Sequence, residues 1–131
     1  MGNARDWALE IDAEFTRTMG DVRDAVIYIA TEALDRVKRK SPVDTGQFIN
    51  NWLVSVGGPS AETVDLPGSL QGQSMAAIAA YASIEGWPVI YVANNLPYAN
   101  RLEHGHSSQA PAGMVAITIP ELEALAQGIE I

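Results

Sequence analysis

The first forty residues carry a helical pattern that ends at a proline, and this pattern constrains the fold more than any other feature of the chain. From about Arg5 to Lys40, apolar side chains recur at steps of three and four, which places them on one face of a helix. They are Trp7, Ile11, Phe15, Met19, Val22, Val26, Ile29, Ala33 and Val37. Basic residues occupy the last turn, where they suit the negative end of the helix dipole. Pro42 then forbids further helix.

An unbroken helix of this length would reach about 50 Å at ~1.5 Å per residue, which is more than a domain of this size can cover. Gly20 is the weakest helix former within it, and Thr18, three residues before Asp21, could cap a restarted helix. The pattern therefore predicts a kink or a break near Gly20. The apolar stripe predicts a core-facing helix. A second interpretation is that its N-terminal half projects and packs on a neighbouring subunit.

The remaining residues predict a small, mostly antiparallel sheet with further helices. Phe48 to Val56 alternate as in a strand, with Trp52 on the buried face. Further strands are predicted at 62–66 and, in the centre of the sheet, at 88–93. Helices are predicted near 74–84 and 112–128, the second kinked or restarted at Pro120. The expected architecture is one α+β domain over 1–131, with a helical segment at 1–40 and a body at 41–131.

Composition excludes several classes of protein. The chain has 131 residues, a formal net charge of −8 and no cysteine. Disulfide scaffolds, cysteine-based zinc sites and thiol catalysis are therefore excluded. The one basic run, Lys38-Arg39-Lys40, is too small to track a nucleic-acid backbone. The first residues lack an apolar export signal and no later apolar run could span a membrane, so we expect a soluble protein made without export.

Glu103-His104-Gly105-His106 is the best candidate for chemistry, because two imidazoles and a carboxylate can ligate zinc or iron. The histidines, however, are next-but-one neighbours, and helical ligand pairs are three or four residues apart. We therefore expect an exposed loop pair with no metal, no cofactor and no catalytic residue, and no enzymatic activity. Trp52 is expected in the core, and Tyr98 is expected to anchor the loop that follows it.

Four motifs in order resemble one family. Ser41-Pro42-Val43-Asp44-Thr45-Gly46 followed by Trp52 is similar to the "SPVDTG…W" signature of small neck and tail-completion proteins of long-tailed bacteriophages, the minor tail protein Z-like group. The run from Ile90 through Pro97-Tyr98-Ala99 resembles the strand and "NxxPYA" element of that family. Leu102-Glu103-His104-Gly105 matches its "LExG", and residues 107–114 match its "S-x-QAP-x-GM" element, which contains Pro111. Residues 67–86 look like a helical insertion relative to that pattern.

The resemblance implies a structural virion protein. Such a protein would form a homo-oligomeric ring, expected to be hexameric, at the head–tail junction, after assembly in the host cytoplasm. It would complete the tail and join it to the DNA-filled head, contacting head-closure and tail-terminator or tail-tube proteins. DNA would pass through the lumen without sequence-specific binding, and no membrane would be involved.

The expected assembly contacts are the loop residues Ser107, Ser108 and Gln109, with Trp7 and Phe15 of the first helix as the alternative. The loop is bracketed by Tyr98 and Pro111, and a preordered loop loses little entropy on docking. Gly46 is expected at positive φ in a constrained turn. Two other functions stay open: a free-standing interaction or regulatory protein, and a metal-dependent hydrolase using Glu103, His104 and His106.

Overall fold

The computed structural model describes residues 4–43, 45–105 and 113–130, with side chains from Ala13 onward in those ranges. Its fold class is α+β, as predicted. The first element, α1, spans Ala4–Arg39 without interruption. The predicted break at Gly20 is therefore wrong. Gly20 has open space around it, and one exposed glycine costs a helix only about 1 kcal/mol. The Thr18 hydroxyl donates to the Glu14 carbonyl oxygen within the same helix and does not cap a new one.

The two halves of α1 have different surroundings. Ala30, Leu34 and Val37 of the C-terminal half are buried in the core. In the N-terminal half, Phe15 leaves 62% of its surface exposed although it lies on the same apolar stripe. The core itself joins α1 to the rest of the body through Phe48, Trp52, Val54, Ile78 and Met114. The helix thus packs on the body along only part of its length.

The sheet is smaller than the sequence predicts. Strands β1 (Trp52–Val56) and β2 (Ile90–Asn94) pair antiparallel in a two-stranded sheet, with Trp52 opposite Asn94 and Val56 opposite Ile90. The predicted strand at 48–56 is wrong in its first part, because residues Ile49–Asn51 form a 3-10 turn. The buried Asn51 side chain donates to the Gln47 carbonyl oxygen and so stabilises that turn. β2 is also not central among the described residues, because the sheet that they form has only two strands.

The predicted strand at 62–66 is wrong as well, although this segment is well tied to the body. Side-chain amides replace the partner strand there. Asn51 donates to the Val64 carbonyl oxygen and accepts from the Val64 N–H, while Asn95 donates to the carbonyl oxygens of Ser60 and Glu62. The backbone N–H and C=O groups that would bond to a partner strand in a sheet are therefore hydrogen-bonded to amide side chains.

Helix α2 spans Gln71–Ala80 and continues as a 3-10 turn over Tyr81–Ser83, so the helix predicted near 74–84 is confirmed with an earlier start. Arg23 of α1 fixes the connection from α2 to β2. Its guanidinium donates to the carbonyl oxygens of Tyr81 and Gly86 and stacks 4.2 Å from the Trp87 ring centroid. A planar guanidinium can stack on an aromatic ring and donate two hydrogen bonds at the same time, which the ammonium group of a lysine cannot do.

Two helices follow β2. Helix α3 is short, Ala99–Glu103, and directly follows Tyr98. Helix α4 spans Val115–Gln127, packs on α1 and contains Pro120 in an unbroken run, so the predicted restart at Pro120 is wrong. Among the described helices, none combines the length and apolar character that a membrane span requires.

Candidate functional site

The Ser41 hydroxyl joins the end of α1 to the start of β1. It donates to the Val37 carbonyl oxygen at 2.6 Å and accepts from the indole N–H of Trp52 at 2.7 Å. Trp52 is only 3% exposed, so its predicted place in the core is confirmed. A buried indole N–H needs such a partner, since leaving it unpaired is costly. Pro42 is buried directly after Ser41 and marks the point where the chain leaves α1.

Aromatic rings extend this contact towards α3. The Phe48 ring meets Trp52 edge-on with centroids 5.6 Å apart, and its other side meets Tyr98 at 5.9 Å. Tyr98 immediately precedes α3. The ring of Tyr98 therefore contacts the core residue Phe48 at the start of α3, although 40% of Tyr98 is exposed. The loop that Tyr98 is predicted to anchor follows α3 and lies largely outside the described residues.

The turn between Pro42 and Phe48 has the backbone geometry expected of its glycine. Gly46 has φ of +82°, as predicted, and the Thr45 hydroxyl accepts from the Gln47 N–H. Asp44 of the same motif lies outside the described residues. Gly57 also has a positive φ, +87°, so these two glycines are subject to the same conformational restriction.

The carboxylate of Glu103 caps helix α4 from a distance in the sequence. Its Oε1 accepts from the backbone N–H groups of Met114 at 2.9 Å and Val115 at 2.8 Å, and its Oε2 accepts from Ala116 at 2.8 Å. The residue that precedes α4, Met114, offers no capping side chain of its own. An anion at this position satisfies N–H groups that have no partner inside the helix and interacts favourably with the helix dipole.

The same hydrogen bonds determine the protonation state of the Glu103 carboxyl group. Its partial burial works to raise its pKa, but the three backbone N–H groups and the nearby His104 outweigh burial and hold the pKa below the ordinary value. Glu103 is therefore a carboxylate at neutral pH. Its oxygens are directed at the start of α4.

Gly113 makes this close approach possible. It has φ of +84°, and a side chain there would collide with the Glu103 carbonyl oxygen and come within 2.9 Å of the carboxylate. Gly105, which follows α3 and His104, also has a positive φ, +82°. The chain thus leaves α3 at Gly105 and enters α4 at Gly113, and Glu103 holds these two points together. We call the set Ser41, Phe48, Trp52, Tyr98, Glu103 and Gly113 the motif scaffold.

Several predicted contact residues lie outside the described part of the chain. Ser107, Ser108, Gln109 and Pro111 fall between Gly105 and Gly113, in the undescribed segment, and so does His106. Trp7 lies within α1, but its side chain is not described. Phe15 is exposed, as an assembly contact on the first helix would require.

Glu103 and His104 have structural partners. Besides the three hydrogen bonds of Glu103, the Nδ1 atom of His104 lies 2.7 Å from the Asn100 carbonyl oxygen. Within the described ranges no three histidine, aspartate or glutamate side chains come together as a metal site would need. These contacts engage Glu103 and His104, two of the three groups of the hydrolase interpretation; the third, His106, lies outside the described residues.

The basic residues at the end of α1 contact side chains of the same chain. Lys40 and Arg36 both contact the Glu121 carboxylate of α4, at 2.7 Å and 3.0 Å. Lys38 bonds to the Gln71 side chain, and Arg39 pairs with Asp35. The role of Glu121 cannot be predicted from the sequence, because about eighty residues separate it from its partners and no local pattern links them. The capping role of Glu103 had one available signal, the lack of Ser, Thr, Asp or Asn before α4.

Comparison of the chain with protein-family models, with curated proteins and with solved structures finds no match. Function is therefore inferred from the residues of this chain.

Proposed function

We propose that the chain is a structural virion protein of the phage head–tail junction. It forms a homo-oligomeric ring that completes the tail and joins it to the head. The proposal rests on the resemblance of residues 41–114 to neck and tail-completion proteins. Rings of this kind need rigid subunits that present a contact segment in a fixed place.

One observation carries the proposal, namely the capping of α4 by Glu103. Two of the four resembling motifs, Leu102-Glu103-His104-Gly105 and the "QAP-x-GM" element, meet at this contact. Their polar groups hold the two ends of segment 106–112 together. Fixing the ends of a segment lowers the entropy it loses on docking. This arrangement suits an assembly contact better than a reaction centre.

Charge supports the same proposal. The chain has a net charge of −8, and the described basic run is paired with acidic or amide groups of the same chain. A ring of such subunits would repel the phosphate backbone, so DNA could move through its lumen without sticking.

The test replaces Ser107, Ser108 and Gln109 together with glycine in the phage that encodes this chain. We expect the purified variant to keep the wild-type melting temperature, because the scaffold that holds the ends of the segment is unchanged. In the phage we expect separate heads and tails, or tails of faulty length, in electron micrographs. A control variant with glycine at the exposed positions Ala82, Ser83 and Glu85 should assemble normally.

Wild-type titre from the 107–109 variant would contradict the role of this segment and make the first helix around Trp7 and Phe15 the assembly contact. Negative-stain microscopy of the purified wild-type protein tests the ring itself. A monomer at every concentration would instead support the free-standing interaction protein.

A further inference from the structure

The two lysines of the chain, Lys38 and Lys40, lie at the point where α1 ends and have different partners. The Lys40 ammonium lies 2.7 Å from a carboxylate oxygen of Glu121 and donates to the Thr118 hydroxyl at 3.1 Å. Lys38 instead donates to the neutral side-chain amide oxygen of Gln71, the first residue of α2. A carboxylate stabilises the ammonium form of a lysine more strongly than a neutral amide does. The two amines therefore differ as nucleophiles.

The carboxylates nearest to Lys38 in the fold are engaged by arginines. Glu32 and Asp35 line the same small cavity as Lys38. The Arg36 guanidinium lies 2.9 Å from Glu32, and the Arg39 guanidinium lies 2.7 Å from Asp35. Among the ion pairs of the described residues, none includes Lys38. No described carboxylate is thus in direct contact with the Lys38 ammonium.

Lys38 is also partly removed from water. Its side chain is half-buried between α1 and α2, and Leu34 and Met75 line the cavity beside it. Burial disfavours the charged form and lowers the pKa of Lys38, although the charge of Asp35 acts in the opposite direction. A lower pKa leaves a larger fraction of Lys38 as the neutral amine at a given pH, and the neutral amine is the nucleophile.

The cavity provides room for a group attached to Lys38. Its volume is about 260 Å³ and it is partly open to solvent. A water molecule takes up about 30 Å³ of the liquid, so a short acyl group fits in this space. The neighbouring Arg39 keeps 63% of its side chain exposed. Its positive charge favours the approach of a compact anion to a chain whose net charge is −8.

We propose that Lys38 is a site of acylation by a small acyl phosphate. The lone pair of the neutral Nζ attacks the carbonyl carbon of the acyl phosphate and forms an amide C–N bond. The C–O bond to the phosphate breaks, the phosphate leaves with the electron pair of that bond, and the surplus proton on Nζ passes to solvent. The resulting amide keeps one N–H that can donate to Gln71 but has no positive charge. Acylation therefore makes the end of α1 more acidic.

This site is separate from the motif scaffold and from segment 106–112. Lys38 lies between α1 and α2, and the residues that line its cavity belong to neither of those regions. Its acylation can therefore be present or absent whether or not the chain forms a ring.

Treatment of the purified wild-type protein with acetyl phosphate at neutral pH tests the proposal. Tandem mass spectrometry of peptides that contain Lys38 and Lys40 measures the acetylation rate at each lysine. We expect Lys38 to react at least about tenfold faster than Lys40. In urea, where both lysines lose their partners, the two rates should agree within about twofold. Equal rates in the folded protein, or a difference that persists in urea, would overturn the proposal.

Two nearly isosteric variants exchange the partners of the lysines. Gln71→Glu gives Lys38 a carboxylate partner and should lower its acetylation rate at least about fivefold, while the Lys40 rate stays unchanged. Glu121→Gln removes the carboxylate from Lys40 and should raise the Lys40 rate. Circular dichroism checks that both variants are folded. A Lys38 rate that is the same in folded Gln71→Glu and in the wild type would overturn the selection of Lys38 by its neutral partner.

Discussion

At the scale of single residues, the Glu103 carboxylate performs for α4 the task that a capping side chain performs at most helix starts. It accepts three backbone N–H bonds although eleven to thirteen residues of sequence separate it from their donors. We predict that Glu103→Ala lowers the free energy of unfolding by about 1–2 kcal/mol, the usual cost of losing a cap. Urea unfolding followed by circular dichroism measures this.

The matched control is Glu123→Ala, which removes an exposed glutamate from α4 itself and should change stability by less than about 0.5 kcal/mol. Equal effects of the two variants would show that the capping contact contributes nothing specific.

The Ser41–Trp52 hydrogen bond couples the end of α1 to the sheet. Ser41→Ala leaves the buried indole N–H without a partner and should cost about 1–3 kcal/mol. Trp52→Ala should cost about 3–5 kcal/mol by lost burial and a cavity. In a Trp52→Phe background there is no N–H left to satisfy, so Ser41→Ala should then cost less. Additive effects in this double-mutant cycle would show that the bond does not stabilise the fold.

At the scale of secondary-structure elements, the helices could be predicted from the sequence and the sheet largely could not. Helical periodicity over α1 and helix propensity over α2 are local properties, so they predict the positions of these helices to within a few residues. The alternation at 48–51 resembles a strand, but Asn51 bonds back to Gln47 and closes a 3-10 turn. The apolar run of β2 fits a central strand equally well, because burial by helices and burial by strands leave the same pattern.

The site could be predicted only in part for a related reason. Trp52 is predicted in the core, since aromatic rings are expected there, and it is 3% exposed. The loop that Tyr98 is predicted to anchor lies largely outside the described residues. The pairing of Glu103 with α4 and of Glu121 with Arg36 and Lys40 depends on tertiary contacts. No spacing in the sequence encodes those contacts.

Helix α4 offers a test at this scale, because a glycine lies at each of its ends. An alanine at Gly113 would require a positive φ and would collide with the Glu103 backbone, whereas an alanine at Gly128 meets its nearest neighbour at an ordinary 3.6 Å. We predict that Gly113→Ala costs at least about 2 kcal/mol and that Gly128→Ala costs less than about 1 kcal/mol. Thermal unfolding of the two variants makes the comparison. A smaller loss at Gly113 than at Gly128 would contradict the close packing of Glu103.

At the scale of the whole molecule, two carboxylates make stability depend on pH. Hydrogen bonds from Lys40 and Arg36 lower the pKa of Glu121 despite some desolvation, and the pKa of Glu103 is lowered too. A carboxylate whose pKa is lower in the folded state stabilises the protein above its ordinary pKa, near 4.5, and loses that contribution as the pH falls through the lowered value.

We therefore predict that the melting temperature decreases steadily as the pH falls below about 4.5, and that Glu103→Gln reduces this slope. Glu123→Gln, at an exposed position of the same helix, is the control for the removal of one carboxylate. A slope unchanged by Glu103→Gln would mean that protonation of Glu103 does not couple to folding.

The length of α1 also determines how the molecule moves in water. Its 36 residues reach about 54 Å at ~1.5 Å per residue, while a compact chain of this size has a radius of gyration near about 14 Å. Such a rod fixed to a small body raises the frictional ratio and makes rotational diffusion anisotropic. We expect small-angle scattering of the dilute protein to give a radius of gyration clearly above the compact value, with a pair-distance distribution that has a long tail. Removing the part of the chain before Ala13 should shorten that tail.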